Sequence, residues 1–189
     1  MEVSCIILAG GKSSRIEEDK AFLVLNKQPL IKHVFNHMKN IFSDIIVVVK
    51  NEEQKNKMEK ILKNVRIVED KNEIFSPMAG IQEGVKHAAN DYVFVIACDM
   101  PFVDEETVKI LLSKIKEGVE CVVYSKENRY EPLCAAYKKE IFVGCDLKGS
   151  LHSLINRTEN KILIPFNEDR IFFNINTEED LEFAEKTFK

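Results

Sequence analysis

The stretch Val3-Ser4-Cys5-Ile6-Ile7-Leu8-Ala9-Gly10-Gly11-Lys12-Ser13-Ser14-Arg15 decides the fold. Its first half is apolar and rich in β-branched side chains, which predicts a strand over Val3 to Leu8. Two adjacent glycines end that run, and cations follow them. Similar short runs recur at Ile45 to Val49, Arg66 to Val68, Tyr92 to Ala97 and Cys121 to Tyr124, separated by longer amphipathic stretches. Alternation of this kind is the signature of βαβ units and a mainly parallel sheet.

Three helices fall between the strands. Leu30, Ile31, Val34, Phe35 and Met38 recur at helical spacing behind Pro29, a residue tolerated in a first turn. Glu52 to Leu62 and Asp104 to Lys116 read as more polar helices, the second opened by an acidic residue that suits a helix N-terminus. Beyond Tyr124 the spacing predicts a strand over Pro132 to Tyr137, a short helix over Leu151 to Asn156, a strand over Ile162 to Pro165 and a closing helix over Thr177 to Lys186. Thr177 with Asp180 three residues on forms a capping arrangement. With no internal repeat and no Gly/Ser-rich linker, residues 1–189 are expected to form one domain.

Composition narrows the function. The 189 residues are 45% hydrophobic and 31% charged, ordinary values for a folded chain able to build a sizeable core. The 27 basic and 31 acidic residues leave a net charge of −4, without long blocks of one sign. That argues against a surface that coats nucleic acid, which needs clustered Lys and Arg. Cys5, Cys98, Cys121, Cys134 and Cys145 are odd in number, dispersed and free of any C-x-x-C pair, so neither a disulfide framework nor a zinc site is expected. The apolar runs fall far short of the roughly 20 residues of a membrane span, and no leader pattern follows Glu2. A cytoplasmic protein, away from the membrane, is the expectation.

Ligands of open parallel sheets bind beyond the carboxyl ends of the strands, and three segments fall there. In the first, the paired glycines allow a tight turn whose N–H groups converge, while Lys12, Arg15 and Lys20 bring up to three cations to one loop. This describes a polyphosphate cradle, although a solvated turn with incidental charge has the same pattern. Neither G-x-G-x-x-G nor G-x-x-x-x-G-K-[ST] is present. The second segment runs from Asp70 to Pro77-Met78-Ala79-Gly80. In the third, Cys98-Asp99-Met100-Pro101, a carboxylate stands at a strand tip with a proline behind it. It can hold Mg²⁺ together with phosphate oxygens and water, or simply close a turn. A cation cradle and a strand-end carboxylate on one sheet edge favour the metal.

These segments carry a resemblance. LAGGKSSR (8–15), DKA (19–21), Asp70 ahead of PMAG (77–80), CDMP (98–101), EPLCAAY (131–137) and NINTEEDL (174–181) together resemble the molybdenum cofactor guanylyltransferases of MobA type, in the nucleotide-diphospho-sugar transferase-like superfamily. The resemblance implies a three-layer α/β/α Rossmann-like fold with a mainly parallel sheet and a small antiparallel C-terminal extension. It implies transfer of GMP from GTP to the terminal phosphate of molybdopterin, with release of pyrophosphate. Leu8, Ala9, Gly10 and Gly11 would wrap the nucleotide, and Lys20 would bind its phosphates. Asp70 and the turn of Pro77, Ala79 and Gly80 would help hold the guanosine. Asp99 would carry Mg²⁺, with Lys20 serving the α-phosphate and Arg15 the pyrophosphate. Asn174 and Asn176 belong to an element beside the active site, and Arg129 to Pro132 would lie on the pterin side. Cofactor-insertion proteins or molybdoenzyme apoproteins are the partners the family implies.

Two departures stand out. Ile16-Glu17-Glu18 replaces the Met-Gly usual after the arginine, and Ser76 replaces the glycine usual before Pro77. A cytidylyltransferase acting on the same cofactor, a transferase with another phosphorylated acceptor, and a non-catalytic nucleotide-binding module are the competing functions. Lys20 and Asp99 together speak against the last. His33 and His37, four apart on a helix, lack a third ligand and read as a solvated face. Cys98 and Cys134 read as buried thiols rather than nucleophiles.

Overall fold

The apolar run that opens the chain is the third strand of a seven-stranded sheet. The computed structural model describes residues 2–10, 19–74, 76–127, 129–166 and 170–187. In chain order the strands are β1 (Val3–Leu8), β2 (Val24–Leu25), β3 (Gln28–Pro29), β4 (Ile45–Val49), β5 (Arg66–Glu69), β6 (Tyr92–Ala97), β7 (Cys121–Lys126), β8 (Arg129–Lys138) and β9 (Lys161–Pro165). The helices are α1 (Leu30–Met38), α2 (Glu52–Ile61), α3 (Pro77–His87), α4 (Glu105–Leu112), α5 (Leu151–Arg157) and α6 (Glu178–Thr187). β2 and β3 pair as a small separate hairpin, and the main sheet runs β5-β4-β1-β6-β8-β7-β9.

Only β8 opposes the common strand direction, being antiparallel to both β6 and β7, whereas β9 pairs with β7 in parallel. The antiparallel element therefore lies inside the sheet instead of trailing it. A tight connection from β7 reverses the chain, and Glu127 adopts a φ of +48° there, the left-handed region that such hairpin turns require.

Strands covered on both faces should be apolar throughout, and β6 is buried at all six positions. Alternate residues divide between two layers. Cys5, Ile7, Val47, Val49, Phe94 and Ile96 pack with Ile31, Val34 and Met38 of α1, Met58 of α2, and Val108 and Leu111 of α4. Ile6, Ile46, Val48, Val93 and Val95 pack with Met78 and Ile81 of α3 and with Leu151, Leu154 and Ile155 of α5. Each fully buried aliphatic side chain contributes about 1.5–3 kcal/mol, so these two layers hold the helices to the sheet. No helix among the described residues is long and apolar enough to cross a membrane.

Pro77 to Gly80, expected as a turn, is instead the first turn of α3. Pro77 occupies the first helical position, and the Ser76 side chain caps the helix by accepting from Ala79 N at 3.0 Å. Ser76 in place of glycine thus has a local reason. Gly84 lets α3 lie close on β1, since a Cβ there would come within 2.8 Å of Ile6 Cγ2. At the C-terminus Asp180 N donates to Thr177 Oγ1 at 3.0 Å, and Thr177 N donates to Asp180 Oδ2 at 2.9 Å. The predicted cap opens α6.

Candidate active site

β4 lies on one side of β1 and β6 on the other, so the connections diverge between β1 and β6, where open α/β sheets leave a crevice. A cavity of about 410 Å³ occupies that position. Leu8 and Gly10 enter it from β1, Val48, Val49 and Lys50 from β4, Asp70 from β5, and Ala97, Cys98 and Asp99 from β6. Lys20, Leu133 and the start of α3 at Ser76, Pro77 and Gly80 complete the wall. Main-chain bonds carry the ladder just past the strands: Ala9 N to Val48 O at 2.8 Å, Asp70 N to Val49 O at 2.7 Å, and Cys98 N to Leu8 O at 3.0 Å. The floor is therefore rigid, and the N-terminal end of α3 adds favourable potential for negative charge.

The charged centre is a Lys20–Asp99 pair. Lys20 Nζ donates to Asp99 Oδ2 at 3.2 Å and also to Asn176 Oδ1. Both side chains of the pair are mostly buried, at 14% and 16% exposure. Asp99 Oδ1 is buried and, among the described residues, has no hydrogen-bond partner. Ile175 N donates to the Asp99 carbonyl at 2.9 Å, which ties the C-terminal segment to this strand end. Asp70 differs: its Oδ1 already accepts from Asn72 N at 3.0 Å and Asn72 Nδ2 at 2.6 Å. Lys50 pairs with Asp19, the neighbour of Lys20.

Burial pushes the Glu131 carboxyl up to about 7, and the Asp99 charge adds to the shift. Burial likewise drives the Cys98 thiol far above its ordinary range, so this cysteine is not a thiolate nucleophile. His33 Nε2 lies 2.8 Å from the Leu25 carbonyl. No cluster of three or more His, Cys, Asp and Glu among the described residues could hold a metal.

Of the residues singled out by sequence, Leu8, Gly10, Lys20, Asp70, Pro77, Gly80 and Asp99 meet in the cavity, and Asn176 reaches it through Lys20. Ala9 and Ala79 are buried and do not line it. Asn174 turns its amide to Phe172 O at 3.0 Å. Arg129 is exposed at the start of β8, and the Pro132 carbonyl accepts from Tyr137 Oη at 2.7 Å, so neither forms the cavity wall. Gly11, Lys12, Arg15 and Ile16 to Glu18 lie outside the described residues. Sequence reasoning did not assign Lys50 or Leu133 to the site. Lys50 was legible, because it follows a parallel strand as Asp70 and Asp99 do.

A family model described as the MobA-like NTP transferase domain matches residues 5–169. The chain belongs to the MobA-like NTP transferase family. It is 31% identical over 187 residues to a protein of Clostridium perfringens named probable molybdenum cofactor guanylyltransferase, covering 98% of this chain and 86% of that one. A molybdenum cofactor guanylyltransferase of Desulfosudis oleivorans is 30% identical over 201 residues, covering 99% and 96%. The structure of molybdopterin-guanine dinucleotide biosynthesis protein A from Archaeoglobus fulgidus superposes with a TM-score of 0.81 at 26% identity, over 97% of each chain. The cavity of this MobA-like chain thus lies within the segment that the family model covers.

Proposed function

We propose that the chain is a molybdenum cofactor guanylyltransferase, which joins GMP from GTP to the terminal phosphate of molybdopterin and releases pyrophosphate. The observation that carries this reading is the Lys20–Asp99 pair at the strand-end cavity, in a chain similar over nearly its full length to proteins of that name. Composition and fold alone fit many nucleotide-binding proteins. A cation and a carboxylate meeting where phosphates would enter favour transfer over mere binding.

The reaction forms a bond between an acceptor phosphate oxygen and the α-phosphorus and breaks the bond from that phosphorus to the pyrophosphate oxygen. A phosphate monoester is already a nucleophile at neutral pH, so the protein's task is alignment and charge stabilisation. Lys20 would exchange its contacts with Asp99 and Asn176 for the α-phosphate. The N–H groups of Gly10 and Gly11, with Arg15, would take the departing pyrophosphate. The first turn of α3 and Asp70 would hold the guanosine, and Asn174, Arg129 and Pro132 would serve the pterin side.

Asp99 fits a divalent cation, because its Oδ1 is buried without a partner among the described residues. A single protein carboxylate suits Mg²⁺, which takes its remaining ligands from phosphates and water. When bound, the ion would neutralise charge on the phosphates. Delivery of so reactive a product to insertion proteins or apoenzymes follows from this function as a further proposal.

The test is pyrophosphate release with Mg²⁺, molybdopterin and either GTP or CTP. Release with GTP and formation of the guanine dinucleotide are expected. Release with CTP alone would move the chain to the cytidylyltransferases, and no release with either would refute the transferase reading.

A further inference from the structure

We propose that Gln54 is a positioning residue for the nucleotide, acting through the main chain at the ends of β1 and β4; this rests on the nucleotide occupying the cavity described above. Gln54 is 1% exposed, yet it sits in α2, where the only other buried side chain is Met58. Its Nε2 donates to Ala9 O at 2.8 Å, and its Oε1 accepts from Lys50 N at 2.7 Å. Its own N–H donates to Asn51 Oδ1 at 2.8 Å, which caps α2 and fixes where the side chain starts.

A Gln three residues after the cap ordinarily returns to the N–H of the capping residue. Here it reaches Lys50, one residue earlier, and its amino group crosses to β1. Ala9 and Lys50 are the first residues beyond two paired strands, and the last ladder bond before them runs from Ala9 N to Val48 O. Past that point the carboxamide acts as a surrogate peptide group, supplying the donor and the acceptor that an ongoing ladder would have supplied. Without it the buried Ala9 carbonyl would lose this donor, a costly state, and the part-buried Lys50 N–H would lose its acceptor.

The consequences reach the cavity on two sides. Gly10 lines it directly after Ala9, and a Cβ at Gly10 would lie 3.3 Å from Lys50 N, the same N–H that Gln54 holds. Lys50 lines the cavity too, and its ammonium pairs with Asp19 beside Lys20. Loss of the clamp therefore loosens the wall that meets the nucleotide in its ground state and transition state alike. That signature is a raised KM with an unchanged kcat.

The experiment compares Gln54→Met, which keeps volume but removes both bonds, with Met58→Ala, which weakens the packing of α2 but leaves the clamp. Gln54→Met is expected to raise KM for GTP about tenfold with kcat within about threefold, and to speed exchange of the Lys50 amide hydrogen. Met58→Ala is expected to lower the unfolding midpoint while KM holds. An unchanged KM in Gln54→Met, an unchanged Lys50 exchange, or KM rising in both variants in step with lost stability would overturn the proposal. Failure of the wild-type chain to use GTP would refute the transferase reading instead. In that case Lys50 exchange reads the clamp separately, and the KM role falls with the activity.

Discussion

Two aspartates stand just beyond parallel strands of the same sheet, Asp70 after β5 and Asp99 after β6, and both line the cavity. Asp70 spends one oxygen on its own turn, accepting twice from Asn72. Asp99 gives one oxygen to Lys20 and keeps the other buried and unpartnered among the described residues. Position in the fold is shared; what differs is the partner each carboxylate holds, a local turn for Asp70 and a distant cation for Asp99. An oxygen spent on a local turn shapes a wall, whereas a buried oxygen without a partner among the described residues can take a cation.

The comparison breaks most readily at Asp99 and its partner. Asp99→Asn and Lys20→Ala should each lower guanylyl transfer about 10²–10³-fold, the usual effect of removing a group that stabilises developing charge. Steady-state pyrophosphate release measures it, with circular dichroism reporting that the fold survives. Wild-type turnover in either variant would remove that residue from the chemistry.

Asp70→Asn sharpens the contrast. The amide retains an acceptor for the Asn72 turn, so kcat should stay put and KM for GTP should rise less than about tenfold. A collapse of kcat equal to that of Asp99→Asn would mean the two carboxylates share one task.

The smallest effect concerns Glu131, whose carboxyl burial raises from 4.5 to about 7. The folded chain holds this proton to higher pH than the unfolded chain does. Its contribution to stability is therefore full at low pH and falls as pH rises from 4.5 to about 7, then levels off. Glu131→Gln should gain stability over the wild type at pH 8 and none at pH 4, by denaturant titration at both. An equal difference at the two pH values would deny that the carboxyl titrates between them.

Much of the layout was readable in residues. Val3–Leu8, Ile45–Val49 and Tyr92–Ala97 are predicted to their ends, because strands buried on both faces are bounded by abrupt losses of apolar character. α3 was harder to see. Pro77 and Gly80 suggest a turn, but Pro suits a first helical position, and the close approach of Gly84 to Ile6 is a contact between distant segments. Asp99 and Asp70 stand out because charge at strand ends is conspicuous, and Lys20 because it joins the cations of one loop. Gln54 does not: a glutamine among Glu and Lys looks solvated, and only the approach of β1, β4 and α2 buries it.

By itself the sequence determined the α/β class, the strand ends at which chemistry gathers, and the family that NINTEEDL, CDMP and DKA mark. The first two follow from local periodicity and residue type, and the family from the resemblance of those motifs, all of which the chain carries in its residues alone. The tertiary structure decided the place of β8 within the sheet, the pairing of Lys20 with Asp99 and Asn176, and the clamp that Gln54 makes. These depend on which segments meet across 79, 156 and 45 residues of chain, and a hydrogen bond exists only where both its ends arrive.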